Sequence, residues 1–197
     1  MNRRDFLRWA ALTVAGFFLP EQDVEARYVL ETWEPPIRKL FLRFTEYEER
    51  PSAEVIVIHH AGFPDGDKDS SAEDIHKFHQ EVNGWAGIGY HYVIRKDGRI
   101  EQGRRPSAVG AHAYGHNKNS VGICVAGNFE LAKPNQKQMY SLILLTAWLC
   151  QKYNLNPVGK GVIVGHRDLN VGETDCPGKY LYSELGAIRR RVRDFNN

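Results

Sequence analysis

Short runs of β-branched and aliphatic residues, each bounded by turn-forming residues, recur along the chain, and such runs are typical of buried strands. They occupy residues 54–60, 120–126 and 161–164. Residues 90–95 and 99–102 flank Lys96-Asp97-Gly98, and an Asp-Gly pair between strand-like segments predicts a β-hairpin. The pattern therefore predicts a sheet with at least one antiparallel pair.

Three other segments carry apolar residues at helical spacing. The first begins at a capping box, Ser70-Ser71-Ala72-Glu73, which predicts a helix start. Its predicted buried face is Ala72, Ile75, His79 and Val82. The other two helices are predicted over residues 135–153 and 181–193. Because helices are interspersed with strands, we predict an α/β fold: a single domain with a mixed β-sheet and helices packed on both sides.

The first 26 residues read as an export signal. Arg3-Arg4 precedes an almost wholly apolar run over residues 9–19, and Val24-Glu25-Ala26 offers a cleavage site. The paired arginines resemble a twin-arginine signal, which implies an exported protein of the periplasm or cell envelope. No membrane span is then expected after cleavage. A buried N-terminal helix is the alternative.

The remaining chain divides into two predicted parts. Residues 27–50 contain Pro35-Pro36 and are interpreted as an N-terminal extension that packs on the domain. The domain itself is predicted over residues 51–195. No sequence feature requires a dimer, so a monomer is expected.

Charge and cysteine content narrow the function classes. The chain has 26 Lys+Arg and 24 Asp+Glu, a net charge of +2. This balance gives no basis for a nucleic-acid partner. Three cysteines are too few for a small disulfide scaffold. Cys124 and Cys150 are interpreted as buried thiols, with a disulfide between them as the alternative in an exported protein.

Histidines stand at the ends of two predicted strands. His59-His60 closes the first, and His166 follows the third, with Cys176 ten residues later. Two imidazoles and a thiolate leave one position of a tetrahedral zinc ion open, as in catalytic zinc sites. From the spacing alone, core histidines and an inert buried thiol remain the alternative.

The local sequence around these residues resembles that of a known protein family. Five motifs occur in order: Val57-Ile58-His59-His60, Gly89-Tyr90-His91-Tyr92, Gly110-Ala111-His112-Ala113, Asn119-Ser120-Val121-Gly122-Ile123, and Gly165-His166-Arg167-Asp168 with Asp175-Cys176-Pro177-Gly178. Together they resemble N-acetylmuramoyl-L-alanine amidases of the phage-lysozyme and peptidoglycan-recognition-protein type, over roughly residues 52–185. The resemblance implies that family's fold. It also implies zinc-dependent cleavage of peptidoglycan or muropeptides between N-acetylmuramic acid and L-alanine.

The resemblance also implies roles for six residues. The zinc ligands would be His59, His166 and Cys176. Tyr90 and Thr174 would be catalytic, and His112 would contact substrate. Zinc lowers the pKa of a bound water to about 7, so the expected nucleophile is a metal-bound hydroxide assisted by Tyr90.

One residue departs from the pattern of the family and bears on the mechanism. Some amidases of the superfamily carry a glutamate in the strand that here spans residues 121–125, and Cys124 takes that position, which favours the branch that uses the tyrosine. A non-catalytic peptidoglycan-binding or sensing module would keep the groove without turnover. A cysteine hydrolase would use Cys176 with His166.

His60 is expected to face away from the ion, since neighbouring strand residues point to opposite faces.

Overall fold

The computed structural model describes residues 33–50, 52–64, 68–170 and 172–196. A mixed sheet of six strands forms its centre. The strands are β1 (Ile37–Lys39), β2 (Val55–His60), β3 (Tyr92–Ile94), β4 (Ile100–Gln102), β5 (Ser120–Val125) and β6 (Ile163–Gly165). Their order is β1-β4-β3-β5-β2-β6, and only β3 and β4, the predicted hairpin, pair antiparallel among these strands.

Four α-helices lie among the described residues, and they cover both faces of the sheet. They are α1 (Ala72–Glu81), α2 (Gln136–Lys152), α3 (His166–Leu169) and α4 (Lys179–Asn196). Side chains of α2 and α4 pack with Ile56, Ile58 and Ile123 in the larger core. On the opposite face α1 packs with Val93 and Cys124 in a smaller core. The predicted α/β fold, a mixed sheet with helices on both sides, is therefore confirmed.

Successive side chains of β2 point to opposite faces of the sheet. Ile56 and Ile58 belong to the larger core, so His59 points to the side of the smaller core. Cys124 pairs with His59 across β2 and β5 and lies in the smaller core, whereas Cys150 lies in the larger core. The sheet thus separates the two thiols, and both are free, as predicted.

The stretch before residue 51 contributes more than the pattern predicts. The strand β1 pairs parallel with β4, and Trp33 lies in the larger core with its ring 5.4 Å from that of Phe195. The guanidinium of Arg50 donates to the carbonyl oxygens of Ala108, Ser52 and Pro106. Ile-Arg-Lys is too short and too polar to read as a strand from its own sequence. The predicted signal segment, residues 1–26, lies outside the described residues.

The start of α1 differs by one residue from the prediction. Ser71, not Ser70, is the N-cap: its Oγ accepts from the Asp74 backbone N–H at 3.0 Å, and the Asp74 carboxylate accepts from the Ser71 N–H at 2.9 Å. The tandem serines and the Glu73-Asp74 pair make both registers plausible in sequence. Val82, predicted to be buried, follows the helix and is 66% exposed. None of the described helices is both long and apolar enough to cross a membrane.

Candidate metal centre and its cleft

Two parallel strands deliver the two candidate histidine ligands to one edge of the sheet. Ile58 of β2 pairs with Gly165 of β6, and each strand continues into a histidine, His59 and His166. Cys176 comes from the loop after α3, where its carbonyl oxygen accepts from the Arg167 backbone N–H at 2.9 Å. Strand ends and a short tethered loop are rigid supports, as a coordination site requires.

The donor atoms of these three residues fit a zinc ion. One ligand atom each from His59, His166 and Cys176 lies within 4.8 Å of the others. The His59 Nδ1 is 3.6 Å from the Cys176 Sγ. Tetrahedral zinc, with Zn–N of about 2.0 Å and Zn–S of about 2.3 Å, places such atoms about 3.5 Å apart. Two imidazoles and one thiolate leave the fourth position for water or substrate.

The electrostatics keep both imidazoles neutral and able to bind a cation. Burial lowers the pKa of His59 well below its ordinary value, and the neighbouring His112 and His166 rings add to the effect. Burial also lowers the pKa of His166, opposed by a hydrogen bond with Asn170 and by the charge of Glu173. At neutral pH each ring therefore keeps a free lone pair.

The setting of Cys176 argues against a free nucleophilic thiolate. Burial raises the pKa of its thiol to about 12, while the His60 backbone N–H and the Arg167 guanidinium act in the opposite direction. That N–H lies 3.4 Å from the sulfur. Reactive cysteines have a lowered pKa and partial exposure, and this thiol has neither. A bound cation deprotonates such a thiol outright, so the setting suits a metal ligand better.

The ring of His60 faces away from this centre, as predicted. Its Nδ1 accepts from the Phe129 backbone N–H at 3.1 Å. Burial lowers the pKa of His60 to about 4, so the ring is neutral at physiological pH. His60 thus contributes its backbone N–H, not its imidazole, to the surroundings of Cys176.

Tyr90 lies beside the candidate ligands at the end of the loop between α1 and β3. Its ring centroid is 5.0 Å from that of His59. Burial raises the pKa of Tyr90 well above its ordinary value, and Cys124 and Cys176 add to the rise, so its hydroxyl remains a donor at neutral pH. Two histidines of α1 hold this loop: His76 accepts from the Ile88 N–H at 3.2 Å and His79 from the Gly89 N–H at 3.0 Å.

Thr174 and His112 complete the predicted set. The Oγ1 of Thr174 accepts from the Cys176 backbone N–H at 3.1 Å. The Nδ1 of His112 lies 3.1 Å from the Nε2 of His59. The structure thus brings together all six residues singled out in the sequence, and His112 contacts a candidate ligand directly.

An open cleft of about 440 Å³ lies over this centre, lined by Tyr90, His112, His166 and Thr174 together with residues not singled out in the sequence. The additional lining residues include Trp85, Tyr114, Asn117, Asn170 and Glu173. The side chain of Tyr114 is 88% exposed and that of Trp85 43%. Loop aromatics have no periodic signal, so only the folded chain identifies them as walls of the cleft.

A family comparison accounts for the assembled site. The sequence profile described as N-acetylmuramoyl-L-alanine amidase matches residues 49–179, well over half of the chain. The chain belongs to this amidase family. The resemblance drawn from the motifs is thereby confirmed.

Individual proteins of this kind are also similar to the chain in sequence and in structure. Peptidoglycan-recognition protein LB of Drosophila melanogaster is 34% identical over 140 residues, which are 68% of this chain and 59% of that protein. The chain thus spans about three fifths of that relative. The solved N-acetylmuramoyl-L-alanine amidase LysC from Clostridium intestinale URNW superposes with a TM-score of 0.69, 35% identity, and coverage of 78% of this chain and 97% of LysC.

A third comparison shows a bound molecule. A variant of Drosophila PGRP-LB, solved in complex with tracheal cytotoxin, superposes with a TM-score of 0.67 and 29% identity. The match covers 77% of this chain and 93% of that one. The predicted fold therefore agrees with solved members of the amidase family.

Proposed function

We propose that this amidase-family chain is a zinc-dependent N-acetylmuramoyl-L-alanine amidase that hydrolyses the amide bond between N-acetylmuramic acid and L-alanine of peptidoglycan or muropeptides. The observation that carries the proposal is the convergence of His59, His166 and Cys176, with Tyr90 beside them, under an open cleft. The amidase name of LysC and the complex of PGRP-LB with tracheal cytotoxin support the substrate class.

The chemistry divides between the ion and the chain. Zinc, when bound by the three ligands, supplies a hydroxide near neutral pH and polarises the scissile carbonyl. Tyr90 donates a hydrogen bond to the carbonyl oxygen as negative charge develops there. A donor placed in this way contributes most in the transition state, where the charge is largest.

Departure of the L-alanine nitrogen requires a proton, because an amide anion is a poor leaving group. The Oγ1 of Thr174 already accepts the Cys176 N–H, so its own proton can point into the cleft. In this proposal Thr174, Tyr90 or a relayed water passes a proton to the nitrogen. In balance, one water is consumed: its oxygen ends on the lactyl carboxylate, the C–N bond breaks, and its two protons end on the L-alanine amine, so the group that passes a proton regains one from the water.

The second candidate is a peptidoglycan-binding module without turnover, since the cleft with its exposed Trp85 and Tyr114 serves recognition equally well. The presence of Cys176 within reach of both histidines favours turnover, because a module that only binds has no need of a complete donor set.

Product analysis by mass spectrometry tests the proposed activity. Purified peptidoglycan incubated with the zinc-loaded protein should release stem peptides that begin with L-alanine and leave the glycan strands unbroken. A chelator should stop the release, and added zinc should restore it. Binding without release would favour the recognition module. Release that survives chelation and is lost on alkylation would favour the cysteine hydrolase.

We also propose that residues 1–26, which lie outside the described residues, direct export through the twin-arginine route. Arg3→Lys together with Arg4→Lys should leave the protein in the cytoplasmic fraction, because the paired arginines are the feature that this route reads. Cell fractionation and immunoblotting measure the effect. Single replacements of Arg27 and Arg43, two arginines outside the pair, by lysine serve as controls. Undiminished export of the double variant would refute the assignment.

A further inference from the structure

A chain of buried hydrogen bonds leads away from the His59 ring on the side opposite Cys176. The Nε2 of His59 is 3.1 Å from the Nδ1 of His112. The Nε2 of His112 is 3.4 Å from the Oγ of Ser120. The Ser120 hydroxyl donates to the carbonyl oxygen of His116 at 2.6 Å. The side chains of His59, His112 and Ser120 are all buried, and His112 also lines the cleft.

The direction of each bond follows from its far end. A carbonyl oxygen only accepts, so the Ser120 proton lies on the His116 side and Ser120 accepts from the His112 Nε2–H. A neutral imidazole donates from one nitrogen and accepts at the other, so the His112 Nδ1 accepts from the His59 Nε2–H. The remaining lone pair of His59 is then on Nδ1, the nitrogen 3.6 Å from the Cys176 sulfur.

We propose that His112 and Ser120 are positioning residues that select the Nδ1 lone pair of His59 for the metal. This inference rests on the proposed function, since it takes the three-ligand centre as the zinc site. We call the series from His59 through His112 to Ser120 and the His116 carbonyl the imidazole relay.

The fold holds the His112 ring in place from two sides. A Cβ added to Gly110 would lie 2.4 Å from the His112 Cδ2, and one added to Gly122 would lie 2.6 Å from the same ring. Any side chain at either position would displace the imidazole. The His112 backbone N–H donates to the Asn117 Oδ1 at 2.8 Å, which fixes the loop as well.

The acceptor of the His59 N–H is an imidazole, so its tautomer must be fixed for the bond to form. A metal-bound histidine usually donates its second N–H to a carboxylate, a carbonyl or water, and loss of that partner costs 10- to 100-fold in metal affinity or activity. A carboxylate or carbonyl oxygen always accepts, but the Nδ1 of a neutral imidazole accepts only in the tautomer that carries its proton on Nε2. Ser120 supplies the additional partner that holds His112 in that tautomer.

Replacement of Ser120 tests the relay at its far end. Ser120→Ala should weaken Zn²⁺ binding about tenfold, the lower end of the range for direct partners of a metal ligand, because Ser120 acts through His112. Ser141→Ala is the matched control, because the Ser141 hydroxyl also donates to a carbonyl oxygen at 2.6 Å, that of Gly98, but from α2 on the other face of the sheet. Competition against a chromophoric chelator measures Zn²⁺ affinity, and Ser141→Ala should leave it unchanged.

A pair of His112 variants tests the middle of the relay. His112→Ala should weaken Zn²⁺ binding 10- to 100-fold, because the His59 Nε2–H loses its acceptor. His112→Asn places an amide oxygen near the position of Nδ1 and should recover part of the loss. Adding Ser120→Ala to His112→Asn should then cost nothing further, since an amide oxygen accepts without help from a serine.

Side-chain ¹⁵N NMR of the histidines separates the relay from a merely structural role. With or without zinc, His112 should carry its proton on Nε2; in the zinc-loaded protein His59 should bind through Nδ1. Zinc bound through the His59 Nε2, a His112 proton on Nδ1, or equal Zn²⁺ affinity of Ser120→Ala and Ser141→Ala would overturn the relay. Failure of the unaltered protein to take up Zn²⁺ would instead overturn the proposed metal centre, while the metal-free His112 tautomer still decides the relay.

Discussion

His59→Ala should remove zinc and hydrolysis together. Bound zinc should fall from about one ion per chain to near zero, and the rate of stem-peptide release should fall at least about 1000-fold. A zinc ion held by His59, His166 and Cys176 would supply both the nucleophile and stabilisation of the developing charge. Loss of a single hydrogen-bond donor to that charge already costs about 100- to 1000-fold in rate. Metal analysis by mass spectrometry and the product assay measure the two effects.

The same variant separates the metal mechanism from a cysteine hydrolase. A cysteine nucleophile needs Cys176 with His166 as its base, and both remain in His59→Ala. Retained release that alkylation abolishes would therefore contradict the zinc mechanism. Chelated unaltered protein is the reference for folding, because it lacks the ion but keeps every side chain. His59→Ala should unfold cooperatively at a somewhat lower temperature than this reference, because it also loses a buried ring.

Tyr90→Phe should lower kcat about 100- to 1000-fold, the usual cost of removing one donor to a developing oxyanion. Zinc content and KM should change little, because the ring keeps its packing 5.0 Å from His59 and only the hydroxyl is lost. Steady-state kinetics on a soluble muropeptide, with metal analysis of the same sample, measure the separation of kcat from KM.

Tyr92→Phe is the matched control for the tyrosine. Tyr92 is fully buried in the larger core, and its hydroxyl has no hydrogen-bond partner among the described residues. Its removal should leave kcat unchanged. If Tyr90→Phe also kept kcat within about threefold of the unaltered protein, the charge on the carbonyl oxygen would have to be stabilised elsewhere.

The sequence predicts those parts of the fold whose own residues carry the signal. The strands β2 and β5 are buried β-branched runs, and Asp97-Gly98 marks the hairpin. The strand β1 carries no such signal, because Ile37–Lys39 becomes a strand only by pairing with β4. Local chemistry also leaves the start of α1 ambiguous, since Ser70 and Ser71 are both acceptable caps.

The candidate site also contains residues with a local sequence signal and contacts that only the folded chain reveals. The motifs, through the family resemblance, name six candidate site residues, because most of them stand in a recognisable local sequence. The bond between His59 and His112 joins residues 53 positions apart, and neither the local pattern nor the spacing predicts it. The support of the Tyr90 loop by His76 and His79 depends on how α1 packs, and so does the position of Trp85 in the cleft wall.

The pairing of β1 with β4 also covers a sheet edge that β4 would otherwise expose. Without the segment before residue 51, β4 would present an unpaired row of backbone donors and acceptors, a template on which another chain can add a strand. The loss of Trp33, whose indole N–H donates to Gln151 at 2.7 Å, would open the larger core at the same time. A shortened chain that keeps every residue of the cleft would thus gain an aggregation-prone edge. In the longer chain the short polar strand Ile37–Lys39 pairs with β4 and covers that edge.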